Sequence, residues 1–153
     1  MDSLKNKNAE LDSLMPLMRE QLAAGGTVTF SPRGVSMLPM LRQGRDTVTL
    51  SPLKGRLKKY DLPLYRRDNG QYVLHRIIRA GDTYDCIGDN QYQVEHGVRH
   101  DQLIGVVSSF SREGRTVKVT SFKYWLYCRF WCLRRSVRMT LRRIFKRKNK
   151  DKN

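Results

Sequence analysis

The chain has no apolar run long enough to cross a bilayer: the roughly 18 to 20 consecutive apolar residues a spanning helix needs are nowhere assembled in its 153 positions. Met1 to Glu20 interleaves Asp2, Glu10, Asp12 and Glu20 with single leucines, so the apolar core of a secretory signal is missing too. Cysteine is scarce. Cys86, Cys128 and Cys132 form an odd set without the spacing of a metal site or a disulfide scaffold, which predicts free thiols in a reducing compartment and no metal. No internal repeat and no low-complexity linker precedes the tail, which removes repeat architectures. What is left is room for one compact domain with appendages. The expected location is the cytoplasm, peripheral on the inner face of the membrane.

Acidic residues are the other shortage, with 14 Asp and Glu against 30 Lys and Arg and a net charge of +16. The excess is concentrated. From Phe122 to Asn153 there are 12 Lys and Arg and one acid, Asp151, a net of +11, which leaves +5 for the preceding 121 residues. A tail of that sign suits an anionic surface, either a membrane leaflet or nucleic acid.

Periodicity divides the chain into 1–26, an N-terminal helix and lead-in; 27–121, a β-rich domain; and 122–153, a basic amphipathic helix with a disordered tail. Leu11, Leu14, Met15, Met18 and Leu22 recur at three- and four-residue steps, which predicts a helix from Asn8 to Ala24 closed by Gly25 and Gly26. Short β-branched or aromatic runs follow at Thr27 to Phe30, Thr47 to Leu50, Leu62 to Tyr65, Tyr72 to Arg79, Thr83 to Ile87, Leu103 to Phe110 and Thr116 to Thr120. Turn formers such as Asp68-Asn69-Gly70 and Ala80-Gly81-Asp82 separate them. The expected class is mainly β (α+β), with antiparallel strands closing around a small core. In the tail, Leu126, Phe130, Leu133, Val137, Leu141 and Ile144 draw one apolar stripe down a helix. Arg129, Arg134, Arg135, Arg138, Arg142 and Arg143 lie mostly off it, and Tyr124, Trp125, Tyr127 and Trp131 supply rings suited to a headgroup layer. The expected membrane-surface residues are Trp125, Phe130, Trp131, Arg134, Arg135 and Arg138. Docking of this helix on protein is the plainer alternative, and nucleic acid is disfavoured because no recognised binding module accompanies it.

Chemistry concentrates around Ser36. Gly34-Val35-Ser36-Met37-Leu38-Pro39 places a serine just beyond a strand, preceded by glycine and followed by a turn-forming proline. A serine hydroxyl needs a base to become a nucleophile. Of the three histidines, His96 and His100 sit in the polar stretch Gln91 to Gln102, which reads as a solvated loop. His75 lies inside the run Tyr72 to Arg79, where alternation gives it one face with Val73 and Ile77.

Further along come Gly88-Asp89-Asn90 and Ile104-Gly105-Val106. Taken in order, Ser36-Met37-Leu38-Pro39, Gly44-Arg45-Asp46-Thr47-Val48, Leu74-His75-Arg76-Ile77, Gly88-Asp89-Asn90 and Ile104-Gly105-Val106 resemble the signal peptidase I group, within the serine peptidases that include the self-cleaving domains of SOS-type repressors. The resemblance spans Thr27 to Phe110. Histidine opposite the serine is similar to the endoplasmic-reticulum and archaeal subtype, where other members carry lysine. It implies a signal-peptidase/repressor-autoprotease-like β-rich catalytic domain, a serine endopeptidase with no cofactor, and a peptide or protein segment as substrate, docked as an added strand.

By that resemblance Ser36 is the nucleophile and His75 the base. Asp89, in the Gly-Asp-Asn position, is the favoured acid, with Glu95 the alternative and Asp101 a distant third. Gly34, Val35 and Met37 are the expected substrate and oxyanion neighbours. The oxyanion would rest on the backbone N–H of Ser36 and a neighbour, since position 34 lacks the serine many relatives use. Arg45 separates Gly44 from Asp46 where the family keeps them adjacent, and Tyr60-Asp61 replaces another Gly-Asp pair. The rival readings are a catalytically inactive membrane-associated scaffold that retains the fold, and a repressor-like nucleic-acid regulator, the latter weakened because the first 26 residues offer no helix-turn-helix.

Overall fold

The computed structural model describes the backbone of residues 2–135 and the side chains of residues 13–135. The chain divides into two units, one up to Val119 and one from Thr120.

The first unit opens with helix α1 (Asp2–Ala23). Met15, Met18 and Leu22 are buried, whereas Leu14 is exposed, so the inward stripe is narrower than the sequence periodicity predicts. Gly25 N–H donates to the Leu22 carbonyl and Gly26 N–H to the Gln21 carbonyl, each at 3.0 Å, and the positive φ of Gly25 closes the helix in the way glycine favours. A Cβ on Gly105 would lie 3.1 Å from Leu22 Cδ1, so that glycine lets α1 approach the sheet.

The strands are β1 (Val28–Phe30), β2 (Thr47–Ser51), β3 (Pro63–Arg66), β4 (Tyr72–Leu74), β5 (Arg76–Ala80), β6 (Tyr84–Ile87), β7 (Glu95–Val98), β8 (Leu103–Arg112) and β9 (Arg115–Lys118). They form two antiparallel sheets, one ordered β1-β2-β8-β3-β4 with β9 also on β8, the other β5-β6-β7. The result is a β-rich α+β fold. β1 and β4 are the ends of the larger sheet's strand path. Leu57, Tyr65, Ile77, Tyr84, Cys86, Val98 and Leu103 form a buried cluster drawing on both sheets.

Two departures from the expected strands matter for the site. The run Tyr72 to Arg79 is two strands, because the chain leaves the larger sheet after Leu74 and enters the smaller one at Arg76, with His75 between them. The polar stretch Gln91 to Gln102, expected as a loop, contains β7 and a single 3₁₀ turn at His100–Gln102. β7 pairs with β6, setting Glu95 opposite Cys86.

In the second unit residues 122–135 form helix α2. Ser121 caps it, its Oγ accepting from Tyr124 N–H at 3.3 Å and its carbonyl accepting from Trp125 N–H at 3.0 Å. Tyr124, Cys128 and Trp131 are buried, while Leu126, Phe130 and Leu133 are exposed. The expected membrane-surface set is therefore corrected at Trp131, which is buried. Arg138 and the rest of the expected stripe, Val137, Leu141 and Ile144, lie outside the described residues. Among the described residues no helix is long and apolar enough to cross a membrane.

Candidate active site

The turn after β1 is held from several sides. Leu38 N–H donates to the Val35 carbonyl at 3.2 Å and Leu41 N–H to the Met37 carbonyl at 3.0 Å. Asp46, fully buried, accepts Arg42 N–H at 2.8 Å and both Nε and Nη2 of Arg45 at 2.7 Å. Arg45 thus has a use: it ties the buried carboxylate and reaches Glu113 at 2.8 Å. Its guanidinium is the main cause that keeps the Asp46 carboxyl below the ordinary range.

The Gly88-Asp89-Asn90 loop clasps the serine from behind. Asn90 N–H donates to the Ser36 carbonyl at 2.8 Å, and Asn90 Nδ2 donates to the Val35 carbonyl at 3.2 Å. A Cβ on Gly88 would stand 2.6 Å from the Ser36 carbonyl oxygen and 3.1 Å from His75 Nε2. Only a glycine permits both neighbours to come so near, and so the serine turn and the ring nitrogen meet at the same small residue. Ser36 and His75 also line one cavity of about 260 Å³. Its walls include Phe30 from β1, Met37 and Leu41 from the serine turn, Tyr72 to Leu74 from β4, and Gln91. Both terminal strands of the larger sheet thus border the same space.

His75 is buried, and a buried ring must have its polar atoms met. Nδ1 lies 3.0 Å from Glu95 Oε1 and 3.3 Å from the Tyr65 hydroxyl. Two acceptors do not share a contact, so Nδ1 beside a carboxylate carries the proton and donates it to Glu95. Nε2, turned toward Gly88 and the serine turn, is left with its lone pair. Glu95 is itself braced by Arg67, whose Nε donates to Oε2 at 2.8 Å and whose Nη2 donates to Oε1. Burial alone would push the Glu95 carboxyl up, but hydrogen bonds from Arg67, His75 and Tyr65 outweigh it and hold it down at about 2. Burial and then the Glu95 charge push the Tyr65 phenol up, keeping it a donor. The same two causes, with Asp85, raise the Cys86 thiol to about 12, an unreactive state.

Asp89, the favoured acid, is elsewhere. Its carboxylate is bidentate on Arg76, with Nε to Oδ1 at 2.8 Å and Nη2 to Oδ2 at 2.7 Å, both side chains fully buried. The order of preference therefore reverses: Glu95 meets the ring and Asp89 neutralises a buried arginine. Asp101 pairs with Arg99 at 3.2 Å and is exposed. Gly34 lines the cavity, but its N–H donates to Gln43 Oε1 at 2.6 Å, which removes it as an oxyanion donor. Val35 is exposed and its carbonyl is engaged as above, whereas Met37 is a buried cavity wall.

Sequence reasoning missed Tyr65 and Arg67. The signal was available in alternation: two residues apart, they lie on one side of an extended segment. Among the described residues no group of three His, Cys, Asp or Glu gathers to hold a metal. Comparison with protein-family models, with curated proteins and with solved structures finds no match.

Proposed function

We propose that the protein is a serine endopeptidase of the signal-peptidase-like type, with Ser36 as nucleophile, His75 as general base and Glu95 as the acid that orients the ring. One observation carries the reading: a buried histidine held through Nδ1 by a carboxylate presents its free nitrogen, across Gly88, to the turn bearing Ser36 in a shared cavity. That division of roles is the logic of a serine triad.

Ser36 Oγ attacks the peptide carbonyl carbon while its proton passes to His75 Nε2. Glu95, already ionised, stabilises the imidazolium and is not itself protonated. The developing oxyanion would be met by the Ser36 N–H and a neighbouring backbone N–H, Gly34 being committed to Gln43. One donor more or less is worth about 3 kcal/mol of barrier. His75 returns the proton to the leaving amine; a water, deprotonated by the same nitrogen, then attacks the acyl carbon, and the imidazolium gives that proton to the departing Ser36 Oγ, which frees the acid product and restores the serine. An extended peptide suits the cavity because the terminal strands β1 and β4 border it and offer main-chain pairing.

An active-site-directed serine probe should label the wild-type chain at Ser36, and a peptide library should be cleaved. Both should stop in Ser36→Ala and in His75→Ala. No difference in labelling and cleavage between wild type and either variant, with folding intact by circular dichroism, would sink the reading, and no activity in any of them would leave the inactive scaffold in its place.

A further inference from the structure

Helix α2 has two apolar faces. At 3.6 residues per turn, Tyr124, Cys128 and Trp131 fall within an arc of about 60°, and Phe122, Leu126, Phe130 and Leu133 within an arc of about 80° on the opposite side. The first three are buried, at 6%, 0% and 7% exposure; the second four are open, at 72%, 53%, 63% and 64%. Exposed apolar side chains grouped on one face, unlike ones scattered singly, mark an interaction surface. At its border Phe122 stacks on Trp125 with ring centroids 5.6 Å apart, and the Arg129 guanidinium lies 5.5 Å from the Trp125 ring centroid.

We infer that this open face is a docking surface for an anionic lipid leaflet, with Phe122, Leu126, Phe130 and Leu133 entering the acyl boundary and Trp125 with Arg129 at headgroup level. Charge complementarity selects this occupant. The described part of the helix carries Lys123, Arg129, Arg134 and Arg135 and no acid, and 122–153 as a whole carries a net +11. A second copy of the chain would bring the same charge against it. Nucleic acid would satisfy the charge but offer nothing to four exposed apolar side chains, whereas a leaflet meets both needs. Each Lys or Arg near an anionic leaflet multiplies binding about five-fold. The inference is independent of Ser36 and His75, so either proposal can fail alone.

The only two tryptophans of the chain are Trp125 and Trp131, one exposed and one buried, which makes the orientation measurable. The full chain should float with vesicles of phosphatidylcholine and phosphatidylglycerol at low salt and not with phosphatidylcholine alone. Raising salt toward 1 M, where the screening length falls to about 3 Å, should release it. Phe130→Glu with Leu133→Glu should cut binding at least 100-fold while circular dichroism and sedimentation stay unchanged. In Trp131→Phe the remaining Trp125 should shift to the blue and be quenched by bromolipid; in Trp125→Phe the remaining Trp131 should not. The inference is overturned by failure to float with anionic vesicles, by equal flotation of the double-Glu variant, by quenching of Trp131 rather than Trp125, by duplex DNA or RNA displacing the vesicles at matched charge, or by a dimer that Phe130→Glu dissolves.

Discussion

A neutral imidazole holds one proton, and the atom that holds it decides whether the ring can act as a base toward Ser36. In His75 that choice rests on Glu95 at 3.0 Å from Nδ1, not on Asp89, whose two oxygens are taken by Arg76. Changing each carboxylate to its amide should therefore give different failures. Glu95→Gln can present its amide nitrogen to Nδ1 and stabilise the wrong tautomer, so kcat should fall by about 10³ to 10⁴ with KM little changed. Asp89→Asn leaves the ring oriented but strands a buried guanidinium, and should cost about 3 to 5 kcal/mol of stability. Peptide turnover and urea unfolding on both variants check the pair. Full turnover in Glu95→Gln beside a folded, inactive Asp89→Asn would restore Asp89 as the acid.

Strands explain what could be read beforehand. Alternation found the strand-forming runs that became β1 to β6, β8 and β9, because β-branched residues between turn formers mark strands wherever they pair. It could not show that the run through His75 changes sheets, since a switch between partners leaves no mark on local pattern. Nor could it find β7, Glu95-His96-Gly97-Val98, which offers two polar residues and a glycine before its one apolar position and is a strand only because β6 lies beside it. Missing β7 is why Asp89 ranked above Glu95 as the partner of the ring: the pairing of β7 with β6 brings Glu95 to His75. Gly88 follows β6 directly, and the space it leaves is the element-level control on the site. Gly88→Ala would put a methyl group 2.6 Å from the Ser36 carbonyl, forcing the serine turn away from His75. A displacement near 1 Å can cost on the order of 10²-fold in rate. Gly88→Ala should thus label with a serine probe at least 10²-fold more slowly, while Gly114→Ala, at a left-handed turn with open space around it, should lose some stability and keep its labelling rate. Equal labelling rates would mean that Gly88 does not set the approach of serine to ring.

For the molecule as a whole, acid is the weak side. Glu95 is held at about 2 against an ordinary 4.5, so its stabilising contribution is complete above about pH 4.5 and fades as pH falls toward 2. At 1.36 kcal/mol per pKa unit the contribution is at most about 3 kcal/mol, a large share of the roughly 5 to 15 kcal/mol that holds a domain folded. Asp46 and Asp85, lowered chiefly by Arg45 and Arg79, change with the same sign. Asp61 runs the other way, because burial raises it and protonation relieves that cost. The net charge adds to the majority trend: as 14 acids neutralise against 30 Lys and Arg, self-repulsion grows in a chain already at +16. Urea midpoints should therefore hold between pH 7 and 5 as far as these carboxylates are concerned, then fall steadily to pH 2.5. The stability gap between wild type and Glu95→Gln isolates the site's share. It should be widest near neutrality and close by most of its width between pH 5 and 2.5, since a protonated Glu95 and a glutamine are both neutral. A gap that stayed constant across that interval would show that Arg67, Tyr65 and His75 hold Glu95 by shape and not by charge.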